Sequence, residues 1–311
     1  MNSRERVVAA LNHQEPDKIP FDIGATLITG INKKAYENVL PYLGLEQKGE
    51  TPIFDVVQQL AQPSEEFLVK IGADCRNLSP NKSSIWNLAF DEDESYQYFT
   101  DEWGIRWRMP LGHGLYFDMH KNPMAAFKTV GDLEGYPYPD PNDPARYVGL
   151  RERALKLHEE GHAIVMSSIG AGIMEFGGWL RGFENFFMDL VANRELIDSI
   201  LDKVLEIKLA YWGHVLDEVG DLIQVVQEAD DLGTQNSLKI SPTMYREIIK
   251  PRHKALFDFI HSKTKAPIFL HSCGAIYDVV PDLIEVGLNI LNPVQFNVKN
   301  MESVKLKKEF G

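Results

Sequence analysis

The second half of the chain alternates between short apolar runs and longer segments with helical periodicity. Apolar runs bounded by turn residues predict buried strands, and apolar residues recurring at every third or fourth position predict helices. The predicted strands are 163–168, 222–227, 267–270 and 288–291. The predicted helices are 174–181, 183–191, 196–219, 241–261 and 281–286. Strands that alternate with helical crossovers are typical of a parallel sheet.

The first half is less regular. It contains predicted helices at 3–11, 31–43 and 64–70, predicted strands at 18–24 and 74–76, and a helix or strand-to-helix passage at 54–60. Aromatic runs separated by polar turns predict a small antiparallel β-meander inserted at 85–119. Four prolines mark 135–144 as a linker.

Length and topology together predict one α/β domain spanning 1–311. A hydrophobic fraction of 44% supports a substantial core, and the repeated strand–helix units favour a (β/α)₈ TIM barrel over an open doubly wound sheet. The predicted strands number about six, whereas such a barrel needs about eight. We therefore expect the C-terminal units of the barrel to be missing from this chain.

Composition narrows the classes of function. The formal net charge of −13 and the absence of a basic stripe disfavour nucleic acid and anionic membranes as partners. The sequence has no apolar run long enough to span a membrane and no secretory signal, so we expect a cytoplasmic protein. Two cysteines far apart in sequence fit a reducing compartment. We expect a small-molecule substrate, and the sequence leaves the oligomeric state open.

The chemistry of the chain centres on His271 and Cys273, which follow the predicted strand 267–270. Side chains two residues apart on a strand point to the same face, so these two project together from its end. Imidazole nitrogen and thiolate sulfur are ligands that zinc favours. The alternative is a structural histidine beside a packed thiol. We predict that His271 and Cys273 are metal ligands.

Further polar residues follow the other predicted strands, where parallel barrels place their chemistry. We predict Glu228 and Asp231 as catalytic residues at the mouth, with water or a carboxylate such as Glu228 completing the metal shell. We predict substrate-binding roles for Asp230, Gln235, Asn292 and Gln295. The acidic group Glu228–Asp231 has an alternative interpretation, as loop residues that cap neighbouring backbone groups. Gly170-Ala171-Gly172 begins like a dinucleotide-binding motif, but Glu175 stands where that motif has its last glycine.

Several short motifs along the chain resemble those of the uroporphyrinogen decarboxylase (URO-D) superfamily. They are Ser3-Arg4-Glu5-Arg6-Val7, Asp17-Lys18-Ile19-Pro20, Arg181-Gly182-Phe183-Glu184 with Asp189-Leu190, Glu228-Ala229-Asp230-Asp231-Leu232-Gly233, and His271-Ser272-Cys273-Gly274 with Asn292-Pro293-Val294-Gln295. The resemblance spans essentially the whole chain and implies a URO-D-type barrel.

Within that superfamily, the His-x-Cys-Gly motif is similar to that of the zinc-dependent, corrinoid-linked methyltransferases. This branch implies a zinc cofactor, a corrinoid substrate carried by a partner protein, and a third zinc ligand in a later segment that this chain lacks. A thiolate held by zinc is a far better nucleophile than a thiol, which suits methyl transfer.

Two other functions stay open. The porphyrinogen decarboxylases of the superfamily grip their substrate with an arginine-rich segment after the first strand, and residues 21–26 contain no arginine. A non-catalytic binding protein that retains the barrel with an incomplete site is the third hypothesis.

Overall fold

Residues 1–47 and 49–311 are described in the computed structural model, and their contacts divide them into two units. The first unit comprises Met1–Asn122, Pro144–Ser167 and Leu222–Gln224. The second comprises Pro123–Asp143, Ser168–Asp221 and Val225–Gly311. All of the predicted site residues belong to the second unit.

The first unit carries an antiparallel meander and a pair of parallel strands. Its helices are α1 (Ser3–Leu11), α2 (Lys33–Val39), α3 (Glu65–Ile71) and α4 (Leu150–Glu159). Its strands are β1 (Ile53–Asp55), β2 (Leu60–Ala61), β3 (Cys75–Leu78), β4 (Phe90–Glu92), β5 (Tyr96–Thr100), β6 (Arg106–Pro110), β7 (Asp118–Lys121) and β8 (Ala163–Ser167). Strands β4 to β7 pair in order as an antiparallel meander, and β3 pairs with β8 in parallel.

Local sequence explains the ends of α3. Ser64 precedes the helix in extended backbone, and its side chain accepts a hydrogen bond from Phe67 N. Gly72 follows the helix with φ of +75°, a left-handed conformation that glycine adopts without steric penalty. A polar N-cap and a C-terminal glycine thus delimit this helix.

The second unit is built around one long helix. Its helices are α5 (Ile173–Arg181), α6 (Phe183–Ala192), α7 (Arg194–Val219), α8 (Pro242–Met244), α9 (Lys250–Lys263), α10 (Val280–Glu285) and α11 (Ser303–Phe310), with a π-helical turn at Tyr245–Ile249. Its strands are β9 (Val225–Ala229), β10 (Ile268–His271) and β11 (Ile290–Asn292). Helix α7 packs against α5, α6 and α9.

The strands of this unit form a parallel sheet in the order β9-β10-β11. Leu270 is in register with Glu228 of β9, and His271 with Ala229 of β9 and Asn292 of β11. Because parallel strands end at the same edge, their carboxyl ends bring Asn292, His271 and the residues after Ala229 together. The register of these strands decides which side chains share a face.

Two predictions for the first unit are wrong. Residues 18–24 form no strand, because Pro20 lacks an N–H and Phe21 N donates instead to the Asp74 carboxylate at 3.0 Å. Residues 54–60 form no helix; they belong to the antiparallel pair β1–β2, whose turn contains Gln59 at φ of +54°. The meander and most of the predicted helices are present, with boundaries shifted by a few residues.

The architecture is an α/β fold with parallel strands, consistent with a URO-D-like barrel. The described residues contain five parallel strands, and closure into a barrel is not detected among them. A full (β/α)₈ barrel with missing terminal units therefore stays a prediction. No helix in the described ranges combines the length and apolar character needed to cross a membrane.

Candidate metal centre

Three potential metal ligands converge at the carboxyl ends of β9 and β10. His271 is the last residue of β10, Cys273 follows two residues later, and Asp231 follows β9 by two residues. One ligand atom from each residue lies within 4.8 Å of the others. All three side chains are partly exposed, so the cluster is accessible from solvent.

Two distances in this cluster are close to those of a tetrahedral zinc site. Cys273 Sγ lies 3.4 Å from His271 Nε2, and His271 Nε2 lies 3.7 Å from Asp231 Oδ1. With ordinary zinc bond lengths and tetrahedral angles, the N···S and N···O separations are about 3.6 and 3.3 Å. The N···S and N···O separations are thus close to those around one ion, and the sulfur and oxygen atoms lie within 4.8 Å of each other.

Hydrogen bonds fix the orientation of the ligand side chains. Asn292 Oδ1 lies 2.8 Å from His271 Nδ1, which therefore carries the proton and leaves the Nε2 lone pair toward Cys273. Cys273 N donates to Asp231 Oδ1 at 2.8 Å, and Gly274 N donates to Gln295 Oε1 at 2.8 Å. Partners of this kind raise the metal affinity of their ligands.

Gly274 allows the backbone to turn directly after Cys273. Its φ is +94°, and a Cβ placed there would lie 2.6 Å from the Gly233 carbonyl carbon and from Thr234 O. A larger residue would therefore push apart the two loops that carry Asp231 and Cys273. The close approach of the two loops therefore explains why the His-x-Cys-Gly motif has a glycine at this position.

The electrostatic environment keeps Cys273 protonated in the absence of a cation. Burial raises the pKa of its thiol, and the charges of Asp231 and Glu175 raise it further, against an opposing effect of Lys239. A coordinating metal cation reverses this balance, because a thiol bound to zinc loses its proton. The cluster is therefore suited to a bound cation and poorly suited to a free thiolate nucleophile.

Glu175 is a site residue that sequence reasoning missed. Burial raises its pKa to about 7, and the charges of Asp230 and Asp231 contribute to the shift. It lies in the first turn of α5, where its Oε2 accepts from Gly172 N at 3.3 Å. Its position three residues after Gly172 is the local signal for this backbone contact. Its proximity to Asp231 depends on the tertiary fold.

Asp230 holds the start of α5. It is fully buried, and its two carboxylate oxygens accept from Met174 N at 3.0 Å and Glu175 N at 2.9 Å. His253 Nε2 lies 2.9 Å from Asp230 Oδ2, and Tyr245 Oη lies 3.1 Å from His253 Nδ1. Asp230 therefore caps backbone N–H groups, which is the alternative interpretation of the acidic group. Its buried position differs from the position at the substrate that the sequence predicts.

Glu228 lies outside the cluster, which corrects its expected placement at the mouth. Its register partner is Leu270, which points away from the face of His271. The Glu228 carboxylate accepts from Lys208 Nζ at 2.8 Å and from Trp212 Nε1 at 2.6 Å, both on α7. Asp231, and not Glu228, is the carboxylate placed to complete the metal shell.

Three of the four predicted substrate-binding residues lie beside the loops that carry His271 and Cys273. Gln295 Nε2 lies 3.4 Å from Gln235 Oε1, and Gln235 is exposed. Gln295 also holds the Cys273–Gly274 loop through Gly274 N, and Asn292 contacts His271, while a substrate-binding role for Gln235, Asn292 or Gln295 stays a prediction.

A family model matches most of the second half of this chain. The model is described as uroporphyrinogen decarboxylase (URO-D), and it matches residues 109–303, more than half of the sequence. The matched region contains Asp231, His271 and Cys273.

Curated proteins with similar sequences and one solved structure with a similar fold were also found. A uroporphyrinogen decarboxylase from Ectopseudomonas mendocina is 26% identical over 175 residues, covering 53% of this chain and 47% of the relative. One from Pseudomonas aeruginosa is 24% identical over 174 residues, with the same coverage. The chain thus spans about half the length of these relatives. A methyltransferase from Methanosarcina mazei shares the fold with a TM-score of 0.56 and 16% identity, covering 98% of this chain and 81% of that one.

Proposed function

This chain belongs to the uroporphyrinogen decarboxylase (URO-D) family, and we propose that it is a methyltransferase of that family. It moves a methyl group between a corrinoid and a small molecule with the assistance of zinc. Members of this superfamily are enzymes, and the fold shared with the Methanosarcina mazei methyltransferase supports this branch.

The observation that carries the proposal is the convergence of His271, Cys273 and Asp231. Their nitrogen, sulfur and oxygen atoms lie within 4.8 Å of one another at the carboxyl ends of parallel strands. This is the donor set of a catalytic zinc site, in which three protein ligands leave one position open for a substrate. Decarboxylation of a porphyrinogen has no use for such a site.

The chain's own residues would hold and orient the metal. His271 would bind through Nε2, because its Nδ1 is committed to Asn292. Asp231 would bind through a carboxylate that Cys273 N keeps in place. When bound, zinc would keep an acceptor thiol deprotonated at neutral pH and so ready to attack a methyl group.

The methyl donor would be a corrinoid carried by a partner protein. The exposed cluster at the strand ends supports this assignment, because a corrinoid held by another protein can approach only an open face. The methyl acceptor would enter the same face as a free small molecule. We propose no further contribution of the partner to the site.

A uroporphyrinogen decarboxylase is the second candidate, favoured by the names of the curated relatives. Its substrate is a polycarboxylate, and the partly exposed acidic groups Glu175 and Asp231 would repel it. Residues 21–26, where the decarboxylases have their arginine-rich segment, contain no arginine. These features favour methyl transfer.

Metal analysis of the purified protein and its variants tests the proposal. We expect stoichiometric zinc in the wild type, loss of zinc in Cys273→Ala, and weaker binding in Asp231→Ala. Cys75→Ala is the matched control, because Cys75 is a buried thiol in β3 of the other unit. Unchanged zinc content in Cys273→Ala would refute the assignment of this ligand.

An activity assay separates the two candidate reactions. We expect demethylation of methylcobalamin in the presence of a thiol, loss of this activity with a chelator or in His271→Ala, and no conversion of uroporphyrinogen. Chelator-insensitive conversion of uroporphyrinogen to coproporphyrinogen would replace methyl transfer by decarboxylation.

A further inference from the structure

His253 is a buried histidine whose two ring nitrogens both have side-chain partners. The residue lies on α9, where its Nε2 is 2.9 Å from Asp230 Oδ2 and its Nδ1 is 3.1 Å from Tyr245 Oη. Because a carboxylate accepts hydrogen bonds, Nε2 donates to Asp230, and Nδ1 of the neutral ring accepts from the Tyr245 hydroxyl. All three residues are 1% exposed or less, and together they form the Tyr245–His253–Asp230 network.

The helix that carries this network begins with an irregular turn. Residues Tyr245–Ile249 form a π-helical turn, in which Lys250 N donates to Tyr245 O, five residues earlier. Pro251 follows directly and has no N–H for an intrahelical bond. Turns of this kind are rare and are frequent at functional sites. The irregular backbone thus coincides with the Tyr245 end of the network.

Asp230 connects the network to the loop that carries Asp231. Its backbone N donates to His271 O at 2.8 Å, and its carboxylate accepts from the two N–H groups at the start of α5. Asp230 is therefore held from three sides, by α5, α9 and β10. Asp231 is the next residue, and its Oδ1 accepts from Cys273 N at 2.8 Å. Loss of the His253 contact would leave a buried carboxylate with fewer donors and would loosen the residue from which Asp231 extends.

We propose that His253 is a positioning residue of the metal centre, which acts through Asp230 to hold the Asp231 carboxylate beside His271 and Cys273. Both ring nitrogens of His253 are engaged, so the residue does not itself bind the metal. Partners outside the ligand set contribute to metal affinity by orienting the ligands. The inference rests on the proposed function for the role of the metal, whereas the position of the Asp231 carboxylate can be measured without a metal.

Two substitutions separate the hydrogen bond of His253 from the packing of its ring. The wild-type ring stacks on that of Phe257, with centroids 5.6 Å apart. His253→Phe keeps an aromatic ring and removes both nitrogens. His253→Gln places an amide N–H donor near the position of Nε2 and so restores the bond to Asp230. Phe257→Leu is the matched control, because it disturbs the same buried part of α9 without removing a hydrogen bond.

Amide hydrogen exchange, measured by NMR on the metal-free protein, reports the position of the Asp231 carboxylate. The Cys273 N–H donates to this carboxylate, so its exchange is slowed only while the carboxylate is in place. We expect exchange at Cys273 to be about tenfold faster in His253→Phe and close to the wild-type rate in His253→Gln. Amides within β10 should change no more than in Phe257→Leu. Equal acceleration at Cys273 in His253→Phe and Phe257→Leu would overturn the inference, because His253 would then contribute only to global stability.

Zinc affinity is the second measurement. A competition titration should show about tenfold weaker binding in His253→Phe, recovery in His253→Gln and no change in Phe257→Leu. Wild-type affinity in a folded His253→Phe variant would also overturn the inference. If the variants at position 253 do not fold, Tyr245→Phe provides the test, because it keeps the ring and removes one hydroxyl of the network. We expect it to accelerate exchange at Cys273 by about two- to threefold, and an unchanged rate would contradict the proposal.

The two proposals fail in different ways. If the wild type binds no zinc, the metal assignment is wrong, and exchange at Cys273 still decides whether His253 holds the Asp231 carboxylate in place. If the wild type binds zinc but the variants match it in exchange and in affinity, the metal assignment stands and the role of His253 is wrong.

Discussion

Glu228→Gln should destabilise the protein strongly without affecting its metal site. The Glu228 carboxylate and the Lys208 ammonium are 2.8 Å apart, and their side chains are 2% and 0% exposed. Removing one charge of a buried pair leaves the other unpaired, which costs about 3–5 kcal/mol. An exposed pair would contribute about 0–1 kcal/mol. Because both side chains are buried, we expect the larger cost of about 3–5 kcal/mol for this pair.

Urea unfolding measures the effect, with the free energy of unfolding extrapolated to water. Asp258→Asn is the matched control, because its pair with Lys254 is more than half exposed and should change the free energy of unfolding by less than about 0.5 kcal/mol. The double variant Glu228→Leu with Lys208→Met should recover most of the lost stability, since it removes both charges and packs apolar groups.

Zinc content separates this structural role from the catalytic role that the sequence favours. Glu228→Gln should retain the zinc content of the wild type wherever it is folded, because the carboxylate faces α7 and not the cluster. A variant with unchanged stability and reduced zinc binding would show that Glu228 faces the metal, and that the register argument is wrong.

Three further predictions concern other parts of the second unit. Asn292→Leu should weaken zinc binding by about 10–100-fold in a competition titration, because His271 loses its orienting partner. Gly172→Ala should lower the Tm, since the added Cβ would lie 2.2 Å from Ala229 O; Gly213→Ala, with its nearest atom at 3.6 Å, should not. Burial opposes the ionisation of Asp282, but Arg246 and Lys250 outweigh it and lower its pKa. This stabilisation is present above the unfolded pKa of about 3.9 and is lost as the pH falls through the folded value. Asp282→Asn should therefore show a weaker loss of stability in urea unfolding between pH 5 and pH 3, and an unchanged acid dependence would contradict this reasoning.

Local sequence was sufficient to predict that His271 and Cys273 lie side by side at the end of a strand. His271 and Cys273 are separated by one residue at the end of an apolar run, and the alternation of side chains along a strand places them together whatever the rest of the fold does. Gly274 then supplies the turn. This prediction depends only on local backbone geometry, which is why the sequence contains it.

Sequence could not choose the carboxylate that joins them. The acidic group from Glu228 to Asp231 has no apolar alternation of its own, and the predicted strand 222–227 ended before it. The strand in fact continues to Ala229, so Glu228 points to α7 and Asp231 lies in the loop beside Cys273. The strand ends two residues later than predicted, and the side chains of these two residues are placed by the alternation of the strand, with Glu228 on the face opposite to that of Ala229.

The contacts between residues of the site that are distant in the chain could not be predicted from the sequence either. Glu175 and Asp230 are 55 residues apart, and only the packing of α5 on the end of β9 brings the Glu175 backbone N–H to the Asp230 carboxylate at 2.9 Å. The raised pKa of Glu175 follows from the burial and the neighbouring charges that this packing creates. The sequence by itself determined most of the helices and strands, and it placed His271 and Cys273 together at the end of a strand. The tertiary structure decided which side chains face that end, because facing depends on register and helix packing between segments distant in the chain.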